Sequence, residues 1–402
     1  MICNQAMSLR LFLEQIVTQS EASMGKANSR SFRRLSALFR YLLIPFSWIF
    51  GLVVSCRNGL YDLGWWRPKR LPGQVISLGN ITIGGAGKTP HVVYIAKLLH
   101  QQGVRVAILA SGYRSRAKRR DQVIVVSEST PVTRCGDEPL MMAQQLSATL
   151  PIGDVPVLVC RNRYRAGLVA VRQFQSQVLI LDDGFQHRQL ARDLDIVVLN
   201  NGLNGLSTSQ SRSNRLLPAG PLREPLSQLR RAGAIINRPN QLNTLSGQIQ
   251  SGFISAAALS RKPVFTSYYR PTRLYSIHQP SQTVSLDQIR RQRIFAFCGI
   301  GNPASFGETL KNQQPDDLQV MVFADHHQYS KSDLGRIQSE ASRFGADMIL
   351  TTEKDRPKVT PLVDQQIIYV LAIEPVIQDT FKQLIKSIVA KSGNVFTEIT
   401  PI

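Results

Sequence analysis

One stretch of the chain sets glycine, lysine and threonine at the spacing that phosphate chemistry requires: SLGNITIGGAGKTP, residues 77–90. Gly84, Gly85 and Gly87 lack the Cβ that would keep backbone N–H groups from turning inward around phosphate oxygens. Lys88 is placed to reach the β- and γ-phosphates of a nucleotide and Thr89 to offer its hydroxyl to Mg²⁺. The N-terminus of a following helix adds favourable partial charge. The strict pattern GxxxxGK[ST] wants glycine where this chain has Thr82, but the GxGKT end is intact. Thr82, Ile83, Gly84, Gly85, Ala86, Gly87, Lys88 and Thr89 therefore form a candidate nucleotide-binding loop.

Acidic partners follow. VLILDD (178–183) puts Asp182 and Asp183 at the C-terminal end of an apolar strand, where α/β sheets bind ligands, and Asp182 there is a candidate Mg²⁺ ligand. GDEP (136–139) sets Asp137 beside Glu138. Two readings fit: a base for an attacking hydroxyl, or acids before Pro139 in the first turn of a helix. FADHHQYS (323–330) holds Asp325, His326 and His327 after a strand. Neighbouring strand residues point opposite ways, so a metal half-site is disfavoured and a histidine that caps the next helix is an alternative. Arg161, Arg163, Arg165 and Arg223, with Glu224, lie in motifs that would flank the cleft, and Arg forks suit phosphate oxygens. Gln186 and His187 can be cleft or structural residues.

Elements that could hold these groups are legible as alternation. Apolar runs at 75–80, 104–110, 123–126, 156–160, 178–183, 195–200 and 232–237 read as strands, with a helix at 91–103. Continuous apolar strands separated by helices indicate a parallel sheet covered on both faces. A second set at 263–269, 293–301, 319–325, 347–352 and 367–373 is joined by a helix at 333–344 and a closing one near 377–391. The expected fold is α/β: a P-loop NTPase-like parallel-sheet domain (58–238), a polar linker or insertion (239–262) and a second, smaller α/β domain (263–402). The last helix of the second domain could pack back on the first.

At 402 residues the chain is long enough for two cores, and 43% apolar with 19% charged residues is ordinary for a globular protein. A net charge of +21 is not, and it favours polyanionic partners: nucleic acid, an anionic leaflet or phosphorylated substrates. The five cysteines form no CxxC pair, which argues against a zinc site or disulfide scaffold. Residues 1–37 read as a polar, possible disordered extension. Residues 38–57 read as a membrane-associating hydrophobic helix, uncharged from Tyr41 to Cys56 behind Arg30, Arg33, Arg34 and Arg40. A spanning helix needs about 20 apolar residues. A core helix and a signal segment are alternatives, but the basic flank and Trp65-Trp66 favour an interfacial helix.

Ile83 stands where MinD- and ParA-like ATPases carry a signature lysine, and no [NT]KxD guanine motif is present. The ordered set GNITIGGAGKTP, SGYRSR (111–116), GDEP, RNRYRAG (161–167), DDGFQH (182–187), LLPAGPLREP (216–225), FCGIGNP (297–303), FADHHQYS and TTEKD (351–355) resembles the tetraacyldisaccharide 4′-kinases. The resemblance implies transfer of the ATP γ-phosphate to the 4′-hydroxyl of a lipid A disaccharide precursor, with Mg²⁺, at the cytoplasmic face of the inner membrane. It also implies Asp137 as the acid–base residue, Glu138 near the metal, and His326 paired with Asp137 across a cleft. It implies no nucleic acid and no protein partner. The alternative is a non-kinase P-loop ATPase that binds nucleic acid or membrane, which the charge would suit. Basic residues are not interleaved with stacking aromatics, however, and no recognition motif is present.

Overall fold

The structure is a computed structural model that describes residues 42–390, except 86, 113–121, 152, 201–214, 240–261 and 365–366. The extension before residue 38, Ala86, most of the 111–116 run and, apart from its ends, the 239–262 linker lie outside the described residues.

The first set of strands is β1 (Gln74–Gly79), β2 (Val106–Ala110), β3 (Ile124–Val126), β4 (Val157–Val159), β5 (Val178–Asp182), β6 (Leu194–Asn200) and β7 (Ala234–Arg238). The second is β8 (Val264–Ser276), β9 (Thr283–Val284), β10 (Arg293–Cys298), β11 (Asp317–Val322), β12 (Met348–Thr352) and β13 (Ile368–Ile377). Among the described residues they form one sheet in the order β11-β10-β12-β13-β8-β7-β6-β1-β5-β2-β4-β3, with β9 beside β8. Pairing is parallel except for β3 with β4 and for β8 with β13 and β9. Strand β8 ties the two sets together. Val264–Thr266 pair with β7, and Ser267 onward pairs with β13.

Helices cover both faces. The longer ones are α1 (Ile44–Asp62), α2 (Lys88–His100), α3 (Asp137–Ser147), α4 (Arg163–Phe174), α5 (Pro303–Lys311), α6 (Lys331–Phe344) and α7 (Asp379–Ala390). Strand β1 sends Ile76 and Leu78 into a core with Val92, Ile95 and Leu99 of α2, and Val75 into the opposite core with Ala166 and Ala170 of α4. This alternation explains why β1, β2 and β5 read as unbroken apolar runs. Helix α7 inserts Phe381 and Ile385 into the α2 core, and Phe381 meets Phe265 of β8 edge to face. In the second set, Phe295 and Phe297 of β10 face one core and Ile294 and Ala296 the other.

Helix α1 begins one residue before Pro45, so the proline lies in the first turn, where its missing N–H costs no hydrogen bond. The helix continues through Arg57 to Asp62. Trp48 is 73% and Leu52 65% exposed, with Phe46, Ile49 and Val53 also outside. Burial is confined to Ser47, Val54 and Asn58, so this is a surface helix rather than a core one. No helix among the described residues is long and apolar enough to cross a membrane.

Candidate active site

The phosphate loop connects β1 to α2. Gly84 and Gly87 have φ of 98° and 73°, conformations that favour glycine. A Cβ on Gly87 would also strike the Tyr269 hydroxyl and Arg238. The Gly87 carbonyl accepts from Tyr269 Oη and His91 Nδ1, each at 2.8 Å. His91 Nε2 then accepts from Ser267 Oγ at 2.8 Å. Burial, then Arg238, lowers the His91 pKa to about 3, so the ring is neutral. Thr82 forms an antiparallel bridge with Leu222, and Ile83 N donates to Pro221 O. Thr82 needs no positive φ there, which explains why the loop dispenses with its first glycine.

Lys88 Nζ lies 3.5 Å from Asp183 Oδ1, and Arg223 grips both oxygens of that carboxylate. Strand β5 stops at Asp182, and Asp183 turns away at φ 54°. Burial alone would raise the Asp183 pKa, but Arg223 and Lys88 hold it well below the usual carboxylate range. Asp182 differs. It is buried, its Oδ1 has no hydrogen-bond partner, and burial, then Glu138 and Asp183, push its pKa up to about 7. Asp182, Asp137 and Glu138 line one small cleft with Ser111 and Gly112. Thr89 is buried on the first turn of α2.

Asp137 is the first residue of α3, behind Gly136 at φ 92°. The acids of GDEP start a helix, as one of the two readings had it, and Asp137 lines the cleft. Its Oδ2 lies 2.7 Å from His326 Nδ1. His326 sits at φ 60°, and its N–H donates to Gly299 O. Lys354, which the sequence analysis left without a role, has Nζ 3.0 Å from Asp325 Oδ1, 3.3 Å from His326 Nε2 and 3.6 Å from Glu138 Oε1. Lys358 Nζ is 3.9 Å from Asp137 Oδ2. Burial would raise the Asp137 pKa, but His326, Lys354 and Lys358 bring it below the usual range. Asp325 is lowered too, against burial, chiefly by Lys354. His327 parts from its neighbour, bonding Asp333 at 3.2 Å and stacking on Phe323, so the His pair is no metal half-site.

The remaining residues divide. Arg163 is buried, donates to Cys160 O and faces Asp182 and Asp183 by charge. Gln186 donates to Asn80 O at 2.8 Å, which braces the end of β1. Arg161 is exposed, ahead of α4. Glu224 is not brought to the cleft with its neighbour Arg223. It is fully buried and holds Arg57 and Asn58 of α1, each at 2.7 Å. The sequence analysis also missed Arg238, Tyr269 and His91 behind Gly87, because they reach the loop from β7, β8 and the next turn of α2. Gly301 packs so closely on Gly85 that a Cβ there would lie 2.7 Å from Gly85 N, so a loop of the second set touches the phosphate loop.

A family model described as tetraacyldisaccharide-1-P 4′-kinase matches residues 39–390. A tetraacyldisaccharide 4′-kinase of Syntrophus aciditrophicus is 38% identical over 334 residues, covering 81% of this chain and 85% of the relative. One of Halothermothrix orenii is 36% identical over 348 residues, covering 81% and 86%. A crystal structure of LpxK from Aquifex aeolicus in complex with ATP is similar at 32% identity and a TM-score of 0.65, covering 87% of this chain and 99% of that one.

Proposed function

The chain belongs to the tetraacyldisaccharide-1-phosphate 4′-kinase family, and we infer from that premise and the geometry above how its own residues carry the reaction. It is an ATP-dependent kinase of the lipid A disaccharide precursor. The observation that carries the assignment of roles is the Asp137–His326 contact at 2.7 Å, in a cleft shared with Asp182 and Glu138.

The N–H groups of the 82–89 loop cradle the ATP phosphates, and Lys88 exchanges Asp183 for the β- and γ-oxygens. Arg223 keeps Asp183 in place during that exchange. Asp137 accepts the proton of the sugar 4′-hydroxyl as the oxygen attacks, and His326 holds the carboxylate in register. A carboxylate with a lowered pKa is a weak base at rest, but it is fully ionised at neutral pH. The polyphosphate that docks beside it adds negative charge, which raises its proton affinity when the proton must move. Arg163 offsets part of the negative charge of Asp182 and Asp183.

Mg²⁺ fits the donors present. Thr89, Glu138 and Asp182 offer oxygen only, and the Asp182 oxygen is buried without a partner. Among the described residues no group of three or more His, Cys, Asp or Glu could hold a metal. That suits an ion that uses one or two carboxylates and completes its shell with water and substrate phosphates. When bound, Mg²⁺ would neutralise charge on the β- and γ-phosphates.

The exposed apolar face of α1, with Leu63 and Trp65 beyond it, supports a seat for the enzyme on the leaflet that holds its substrate, which we read as the cytoplasmic side of the inner membrane. The test is ATP with tetraacyldisaccharide 1-phosphate, read by mass for one added phosphate. Product from wild type and none from folded Asp137→Asn supports these roles. Equal turnover in the two would refute them.

A further inference from the structure

His326 stands between groups of opposite charge. Its Nδ1 lies 2.7 Å from Asp137 Oδ2 and its Nε2 3.3 Å from Lys354 Nζ. An ammonium has three donors and no acceptor, so Nε2 must accept in that contact. A neutral ring that accepts at Nε2 carries its proton at Nδ1 and donates it to the Asp137 carboxylate. We propose that Lys354 is a positioning residue for phosphoryl transfer, its ammonium fixing His326 as the neutral Nδ1–H tautomer that orients Asp137. This rests on the roles given above to Asp137 and His326.

The surroundings of Lys354 suit that task. Its side chain is 16% exposed, and three carboxylates face it. Burial works against its charge, but Glu138, Asp325 and Asp137 outweigh burial and raise its pKa, so it is protonated at any working pH. The turn that presents it is anchored where His326 is anchored. Asp355 accepts from Thr352 Oγ1 at 2.7 Å and from Gly299 N at 2.9 Å, while Gly299 O accepts from His326 N. Donor and acceptor thus hang on one residue, and their separation does not depend on distant packing.

The groups around the ring show what Lys354 prevents. Asp325 Oδ2 lies 3.9 Å from His326 Nε2, and Asp137 binds the other nitrogen. Without an intervening cation the imidazole would sit between two carboxylates and attract a second proton onto Nε2. A full imidazolium would hold Asp137 more tightly as the anion and make it a poorer proton acceptor. Lys354 satisfies Asp325, occupies Nε2, and leaves His326 an orienting donor of no net charge.

The test uses the full chain with ¹⁵N-labelled histidine, His326 being assigned by its loss in His326→Gln. Wild type and Lys354→Arg should both show a protonated Nδ1 and a bare Nε2. Lys354→Met should show a protonated Nε2. Its kcat should fall about tenfold to a hundredfold, part of what a general base contributes, with KM for ATP within about twofold, and Arg should restore kcat to within about threefold. A loss of kcat in the Met variant with the nitrogen signature unchanged would overturn the proposal, since Lys354 would then act on phosphate or fold. A wild-type Nε2 that carries a proton at neutral pH overturns it directly, so the test survives a Met variant that does not fold. The nitrogen signals do not depend on turnover. If the tautomer responds as expected but wild type shows no Asp137-dependent transfer, the hydrogen-bond assignment is supported and the catalytic roles above fail.

Discussion

Replacing Asp182 with asparagine should make the metal-free enzyme more stable and inactive at once. The Asp182 carboxyl is buried beside Glu138 and Asp183, with one oxygen unpartnered, and its pKa is raised from 3.8 to about 7. A carboxyl whose pKa is higher in the folded state binds more protons folded than unfolded, so stability falls as pH rises between the two values. Nothing is lost below pH 3.8, and the full penalty is present above about 7. The gap corresponds to at most roughly 4 kcal/mol, of which relaxation of the site will return part. Asparagine keeps the shape and removes the charge. In EDTA at pH 8 the variant should melt a few degrees above wild type, and the difference should shrink to roughly a third at pH 5 and close only near pH 4. Adding Mg²⁺ with ATP should then raise the wild-type Tm far more than the variant's, because only wild type offers the carboxylate. Thermal scans at pH 5, 6, 7 and 8, with and without EDTA, decide the matter. If Asp182→Asn is no more stable than wild type at pH 8 in EDTA, or the difference does not grow with pH, the reading of Asp182 as an uncompensated buried acid is wrong.

Three further outcomes are expected. Lys88→Ala and Thr89→Ala should each lower kcat by about 10²-fold or more while leaving circular dichroism unchanged, since they act on transition-state charge; near-normal turnover in Lys88→Ala would remove the phosphate loop from the reaction. Glu224→Ala leaves the buried Arg231 and the half-exposed Arg57 without their shared carboxylate and should cost up to about 3–5 kcal/mol, the range for breaking a buried ion pair, with limited proteolysis opening first near α1; cleavage elsewhere would show that Glu224 does not latch that helix. Trp48→Ser with Leu52→Ser should reduce sedimentation with anionic vesicles without changing turnover on short-chain substrate in detergent. Unchanged vesicle binding would place the membrane contact elsewhere.

Local chemistry was legible in the sequence where it was also local in space. The GxGKT run, the strand that leads into it and the acids that end VLILDD are contiguous, and period and composition place them without a fold. Strand ends were harder. Asp183 reads as the last residue of a strand, yet it turns at φ 54° so that Arg223, far along the chain, can grip it. Helices α4 and α5 were not read as elements, and α3 only as an alternative, from the acids before Pro139 in its first turn. The Asp137–His326 contact joins residues 189 positions apart. No spacing rule could have found it, and it entered through resemblance alone. Lys354 and Glu224 show the converse. Each sits in a quoted motif, but what a buried charge does depends on which way its side chain points. Glu224 points at α1 and Lys354 at His326.

The four aspartates in and around the cleft follow a single logic. Asp183 is held ionised by Arg223 and Lys88, Asp137 by His326 with Lys354 and Lys358, and Asp325 by Lys354. Each has its cation within the protein, so each keeps a fixed charge and geometry before substrate arrives. Asp182 alone is left with carboxylate neighbours uppermost and its pKa near neutral. Groups whose surroundings push their pKa values apart in this way have different tasks. On the roles proposed above, the three compensated acids hold the apparatus still and Asp137 takes the proton. Lys88 and Arg163 offset only part of the burial and carboxylate charge at Asp182, and on those roles the Mg²⁺ that accompanies the nucleotide would supply the rest. A site built in this way should bind free ATP poorly, since the phosphates would face an incompletely relieved acid, and should bind the metal complex well. On the same proposed roles, one buried oxygen would let the protein discriminate between the two forms of its substrate.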